Sequence, residues 1–205
     1  SIEPGTGEMK VVDLRNKRVW SQAPIGKEWV GVGAKPGNPA TIELMRVTTL
    51  ERYTATFTLP PDSAEIIVKL SGQGELEDSL VYPMPFASSK GMDLIVPMNE
   101  GMSFPVDDPT LPTFWLVGYG GHGICMSFWG LTDGKAAQMT LVEDADDMLL
   151  TMDRVDGMLT GTCRWQGQKG NFGYPRKLRL VFFDKGGYVA MCKRYRHYAK
   201  AKGLL

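Results

Sequence analysis

Glycine and proline interrupt this chain too often for it to be built from long helices. The 24 glycines and 13 prolines are spread over 205 residues. Short apolar or alternating runs lie between them, which is how many strands joined by tight turns read. Tyr53, Ala55, Phe57 and Leu59 alternate with Thr54, Thr56 and Thr58, the pattern of a strand with one wet face. Pro60-Pro61-Asp62 stops that run. Ala64 to Leu70 and Asp93 to Pro97 read as further strands. Gly123 to Trp129 reads as a core strand with Ile124, Met126 and Phe128 on one face. Met139 to Val142, Met148 to Met152, Met158 to Trp165 and Leu178 to Phe183 continue the series. Asp156-Gly157, between two of these runs, is a hairpin-turn signal. The stretch from Pro83 to Pro112, rich in Pro, Gly and Met, reads as irregular loop with short strands.

Only the C-terminal end has a helical period. Tyr188, Met191, Cys192, Tyr195, Tyr198 and Ala199 fall three and four apart, with Lys193, Arg194, Arg196, His197 and Lys200 on the other side. Cations near a helix C-terminus suit its dipole, and Gly203 is a natural stop. The spacing predicts a helix within 187–203. Many strands followed by one helix predict an all-β fold, a two-sheet antiparallel β-sandwich with a C-terminal α-helix, as one domain over 1–205. At 43% hydrophobic and 22% charged residues, a core can form without metal or disulfide staples.

Composition excludes several function classes. Lys plus Arg equals Asp plus Glu at 23 each, so nothing favours nucleic acid, which calls for a basic face. No apolar run is long enough to predict a membrane-spanning helix. The N-terminus, Ser1-Ile2-Glu3-Pro4-Gly5, lacks the charged start and apolar centre of a signal peptide. Cys125, Cys163 and Cys192 have no CxxC or Cys/His metal spacing and read as buried thiols.

Catalytic patterns are scarce. His122, in Gly118 to Gly123, and His197 are the only histidines, and both read as solvated. The glycines of Gly118 to Gly123 read as a turn, without the Lys-Ser/Thr of a P-loop. No GxSxG elbow is present, and no catalytic residue is assigned. The acidic run Glu143-Asp144-Ala145-Asp146-Asp147 is either a solvated turn or a surface for a cation or sugar hydroxyls. No cofactor and no metal site is expected, although calcium is the one ion this run leaves open. Paired carboxylates in a cleft would also suit glycosidic acid/base chemistry.

Sugars stack their C–H faces on flat rings, so Trp115, Trp129, Trp165, Phe172, Tyr174 and Tyr188 are either a carbohydrate surface or core. Trp115 and Trp129 sit in apolar runs and read as core. Trp165 and Tyr174 flank a polar, Gly-rich loop, Gly170-Asn171-Phe172-Gly173-Tyr174-Pro175-Arg176. There Gly173 is expected at positive φ. Arg176 either clamps a carboxylate or pairs with the acidic run to hold two loops together. Glu143, Asp146, Asp147, Trp165, Tyr174 and Arg176 are therefore the candidate residues, a mainly polar cluster at one edge for carbohydrate binding or interdomain contact.

The acidic run, the Gly170 to Arg176 loop, and Gly186-Gly187-Tyr188-Val189-Ala190 with Lys193-Arg194-Tyr195-Arg196 occur in that order. With Pro97-Met98-Asn99-Glu100-Gly101, they resemble the β-sandwich region of bacterial glycoside hydrolases similar to the endo-α-N-acetylgalactosaminidase group. The resemblance covers residues 75 to 205; the first forty or so match nothing. It implies a galactose-mutarotase-like supersandwich whose C-terminal helix leads into a (β/α)8 catalytic barrel. That barrel holds the family's catalytic carboxylates, so this chain is expected to be a non-catalytic domain cut from a longer, secreted or periplasmic protein. The implied partners are carbohydrate and the barrel of the same polypeptide, with neither nucleic acid nor membrane. An exposed apolar patch is expected where the barrel sits, with Tyr188, Tyr195 and Tyr198 as its candidates. The alternative is a self-sufficient carbohydrate-binding module, expected to show a solvent-facing Trp165 or Tyr174. Less favoured is a mutarotase-like sugar epimerase, whose acid and base fall to histidines and a glutamate.

Overall fold

The computed structural model describes residues 1–23, 28–118 and 123–205. Within them the chain forms β1 (Lys10–Asp13), β2 (Arg18–Ser21), β3 (Trp29–Lys35), β4 (Ala40–Arg46), β5 (Arg52–Thr58), β6 (Glu65–Gly72) and β7 (Asp93–Val96). Then come β8 (Met102–Pro105), β9 (Trp115–Val117), β10 (Phe128–Thr132), β11 (Ala137–Val142), β12 (Met148–Val155), β13 (Met158–Trp165), β14 (Arg176–Phe183) and a helix, α1 (Gly187–Ala201). The main sheet has nine strands in the order β3-β4-β5-β6-β14-β11-β10-β7-β8. A three-stranded sheet runs β13-β12-β9, and β1-β2 form a separate ribbon. Neighbouring strands pair antiparallel throughout.

Period-two alternation builds the core between the two sheets. Tyr53, Ala55 and Phe57 point inward from β5 while Thr54, Thr56 and Thr58 stay partly wet. Leu178, Leu180 and Phe182 do the same from β14. From the smaller sheet, Met148, Leu150, Met152, Leu159, Cys163 and Trp165 enter the same apolar cluster. This is the expected all-β sandwich. The hairpin between β12 and β13 turns at Asp156 and Gly157, both at positive φ (50° and 80°), as a type I′ turn requires.

The C-terminal helix lies on the far face of the main sheet. Met191 and Tyr198 of α1 pack among Phe128, Ala137, Met139, Leu141 and Val181. Strands β10 and β11 are consequently covered on both faces and buried at every position. Gly130 makes the close approach possible, since a Cβ there would lie 2.8 Å from the Met191 sulfur. Ion pairs fasten the helix. Glu65 of β6 binds Arg194 of α1, with Arg194 Nη2 donating to Glu65 Oε2 at 2.9 Å. Arg179 of β14 pairs with Glu65 at 3.2 Å and with Glu143 at 2.6 Å.

Three expectations need correction. The strand expected over Gly123 to Trp129 begins at Phe128, because the backbone before it crosses between sheets: Ile124 N donates to Val117 O at 3.1 Å and Cys125 N to Pro97 O at 2.7 Å. Ile124 therefore enters the inter-sheet core while Phe128 packs under α1. The cysteines do not all read as buried thiols, since Cys125 and Cys192 are exposed and only Cys163 is buried. Finally, Tyr198 is buried and Tyr195 stacks between it and Phe128, leaving Tyr188 as the exposed tyrosine of the expected patch.

Candidate functional site

Asp147, Tyr174 and Arg176 come together where the Gly170 to Arg176 loop returns to the main sheet. Gly173 takes φ 73°, as expected, and the loop swings Tyr174 over Arg176, whose guanidinium carbon lies 3.5 Å from the ring centre. Arg176 is fully buried. It donates to Tyr174 O at 2.8 Å and Gln166 O at 2.9 Å. Asp147 Oδ2 lies 4.0 Å from the guanidinium and accepts the Tyr174 hydroxyl at 2.8 Å. Burial first, and then the bond to Asp147, push the Tyr174 hydroxyl up to about 12. The arrangement ties β14, the loop and the start of β12 together. Its charges are turned on each other rather than on a ligand.

The other candidates lie elsewhere. Trp165 is 0% exposed, with Nε1 donating to Tyr82 O at 2.8 Å, so it offers no ring to a sugar. Glu143 sits on the α1 side of the main sheet, paired with Arg179 and, at 3.3 and 3.6 Å, with Lys177 and Lys202. Burial pushes its carboxyl up, but Arg179 and Lys177 outweigh this and hold it below the usual glutamate value. Asp146 is exposed and lines a shallow cavity of about 310 Å³ with Asp147, Val117, Leu149 and Gln166. Among the described residues no group of three or more His, Cys, Asp or Glu is placed to hold a metal ion. No helix among them is long and apolar enough to cross a membrane. His197 is exposed on α1. His122 and most of the Gly118 to Gly123 turn lie outside the described residues.

Two apolar surface features stand out, one around the Tyr188 patch expected from the sequence and one where a core residue was expected. The first is a groove of about 640 Å³ between the start of α1 and the β7–β8 hairpin. Ile95, Met126 and Phe128 floor it, and Met102, Tyr188 and Val189 wall it. Tyr188 is 57% exposed. The second is Trp115, which is 64% exposed on β9. Its neighbours Phe114, Leu116 and Val117 made it read as core. In a three-residue strand, alternation reveals two faces but not which one meets the core; here Leu116 points in and Trp115 out.

No protein-family model matches the chain, and no curated protein matches it. Solved structures do. The ligand-free α-N-acetylgalactosaminidase NagBb from Bifidobacterium bifidum matches with a TM-score of 0.79 over 99% of this chain. The fold is that of a part of NagBb. Identity is 14%, and the chain spans only 37% of NagBb's length. NagBb complexes with Gal-NHAc-DNJ and with GalNAc match at TM-scores of 0.79 and 0.70, again at 14% identity over 99% of this chain. The expected likeness to a domain of a glycoside hydrolase is thus met in fold.

Proposed function

We propose that residues 1–205 form one non-catalytic β-sandwich domain of a multidomain bacterial glycoside hydrolase, secreted or periplasmic. It packs against the catalytic barrel of the same polypeptide and contributes to carbohydrate binding. The observation that carries this reading is the extent of the fold match: nearly all of this chain corresponds to 37% of a glycosidase chain. The groove beside α1 supplies the docking surface. Its walls leave Met102, Tyr188 and Val189 in water, and covering such apolar surface gains about 25 cal/mol per Å². Glu65 and Glu143, the carboxylates held beside α1, are committed to structural ion pairs, and on this reading the acid/base chemistry is left to the barrel.

Cys192 provides the test, because its thiol is exposed and lines the groove. In a Cys125→Ser background, a maleimide should label Cys192 in the 205-residue chain. In the longer natural polypeptide, labelling should slow by about tenfold or more, as for a site reached only through local opening. Equal rates in the two proteins would refute the docking.

A further inference from the structure

We infer that the β9–β12 side of the outer face of the three-stranded sheet is a binding site for neutral glycans, centred on Trp115; the β13 side is covered, with Thr160 and Thr162 buried. The inference rests on the hydrolase reading only for the choice of sugar probes. Of the five tryptophans, Trp20, Trp29, Trp129 and Trp165 are at most 5% exposed, whereas Trp115 is bare to solvent. The packing that buries the other rings gives no reason for this one to face water.

Next to the ring is a polar group held in a fixed geometry. Thr151 of β12 lies directly across from Trp115, and Asp153, two residues on, shares its face. Arg164 of β13 reaches over both. Its Nε donates to Thr151 Oγ1 at 2.9 Å and its Nη2 to Asp153 Oδ2 at 3.3 Å. The Thr151 hydroxyl donates to the same Asp153 oxygen at 2.7 Å. Among the described residues, Asp153 Oδ1 and the remaining guanidinium N–H groups have no partner. The face therefore presents a flat apolar ring, a set of fixed donors and a carboxylate acceptor. A pyranose presents a C–H face and a rim of hydroxyls that both donate and accept. Each surface supplies what the other needs, and the interlocked side chains have little rotamer freedom left to lose on binding.

The face continues past the ring. Val117 and Leu149 pair on the same side and lead into the shallow cavity lined by Asp146 and Asp147. From Asp153 to Leu149 is roughly 13 Å of strand at about 3.3 Å per residue, room for more than one sugar. The charge balance selects the ligand class. Asp153 is paired with Arg164 and Asp147 lies near Arg176, which leaves the exposed Asp146 as the carboxylate without an ion-pair partner among the described residues, so phosphodiesters, uronates and sialylated chains are disfavoured. A protein partner of core-like composition would bury the Arg164–Asp153 pair at a desolvation cost and meet only one large ring.

The test uses the 205-residue chain. N-acetylgalactosamine, galactose and galacturonate are titrated separately, observing the indole N–H signals by NMR, with Trp115 assigned from Trp115→Phe. At least one neutral sugar should shift the Trp115 signal saturably, with Kd on the order of 1 mM, while the four buried indoles stay still. Galacturonate should bind about tenfold more weakly. Asp153→Asn and Trp115→Ala should each weaken binding by about tenfold or more. Acrylamide quenching of the unmodified chain needs no variant: the neutral sugar should protect the one accessible tryptophan. No saturable shift with either neutral sugar, or unchanged affinity in Trp115→Ala, would overturn the proposal. Neither result depends on the groove or on Cys192 labelling, so the interdomain reading and this one can fail separately.

Discussion

Replacing Arg176 with alanine should cost about 3–5 kcal/mol of stability. The side chain is 0% exposed and satisfies two backbone carbonyls, Tyr174 O at 2.8 Å and Gln166 O at 2.9 Å. Stranding a buried acceptor costs about 1–3 kcal/mol. Loss of the stacked Tyr174 ring, 3.5 Å from the guanidinium, adds up to about 2 kcal/mol for a desolvated contact. Part of this is offset, because the mutation also removes a buried charge whose Nε has no hydrogen-bond partner. For a protein of this size, each kcal/mol moves Tm by about 2–4 °C, so the melt should fall by roughly 6–20 °C. Arg176→Met, which keeps much of the packing but none of the donors, should lose about 2 kcal/mol. Urea unfolding followed by tryptophan fluorescence suits the assay, since Trp165 is buried in β13 beside the Gln166 acceptor. Sugar affinity at Trp115 should stay within about twofold of the parent. A melt within about 2 °C of the parent would refute the view that Arg176 holds the loop to the sheet.

Three further outcomes are expected. Glu65 and Glu143 are pushed up by burial but pulled further down by Arg194, Arg179 and Lys177, so both end below the usual glutamate value. Their stabilising contribution is fully present above the unfolded-state value of about 4.3 and is lost as pH falls through the depressed folded values. Glu143→Gln should lower the urea midpoint at neutral pH and flatten its fall on the acid side; parallel curves would contradict this. Gly130→Ala should destabilise by about 1–3 kcal/mol by driving a methyl into Met191 and the Gln138 carbonyl; an unchanged urea midpoint would count against the tight seat of α1. Cys125 and Cys192 should react with a thiol reagent in the native protein, and Cys163 only after unfolding, because it is buried and burial pushes its thiol up. Three fast thiols in the native protein would contradict that placement.

The sequence was most legible where one face of a strand is wet. Strands β5 and β14 alternate because their polar neighbours meet solvent or the ion pairs under α1. Alternation fails on β10 and β11, where the helix covers one face and the smaller sheet the other, so the strand expected from Gly123 starts only at Phe128. In β3 the register shifts between Gly31 and Gly33, and Val30 and Val32 face outward, which obscured it. The site divided for a topological reason. Glu143 follows the end of β11 in the main sheet, whereas Asp147 precedes β12 in the smaller sheet, so one acidic run serves two faces. The pairing of Arg176 with that run was readable from charge. Which acid it meets depends on the crossing between sheets.

The most direct test of the interdomain reading is the natural reading frame that encodes this chain. The expected result is a frame that continues beyond Leu205 for several hundred residues of alternating strands and helices, enough for a (β/α)8 barrel of about 250 residues. A frame that closes at Leu205 would contradict the reading, because the groove beside Tyr188 would then have no barrel of its own polypeptide to cover it.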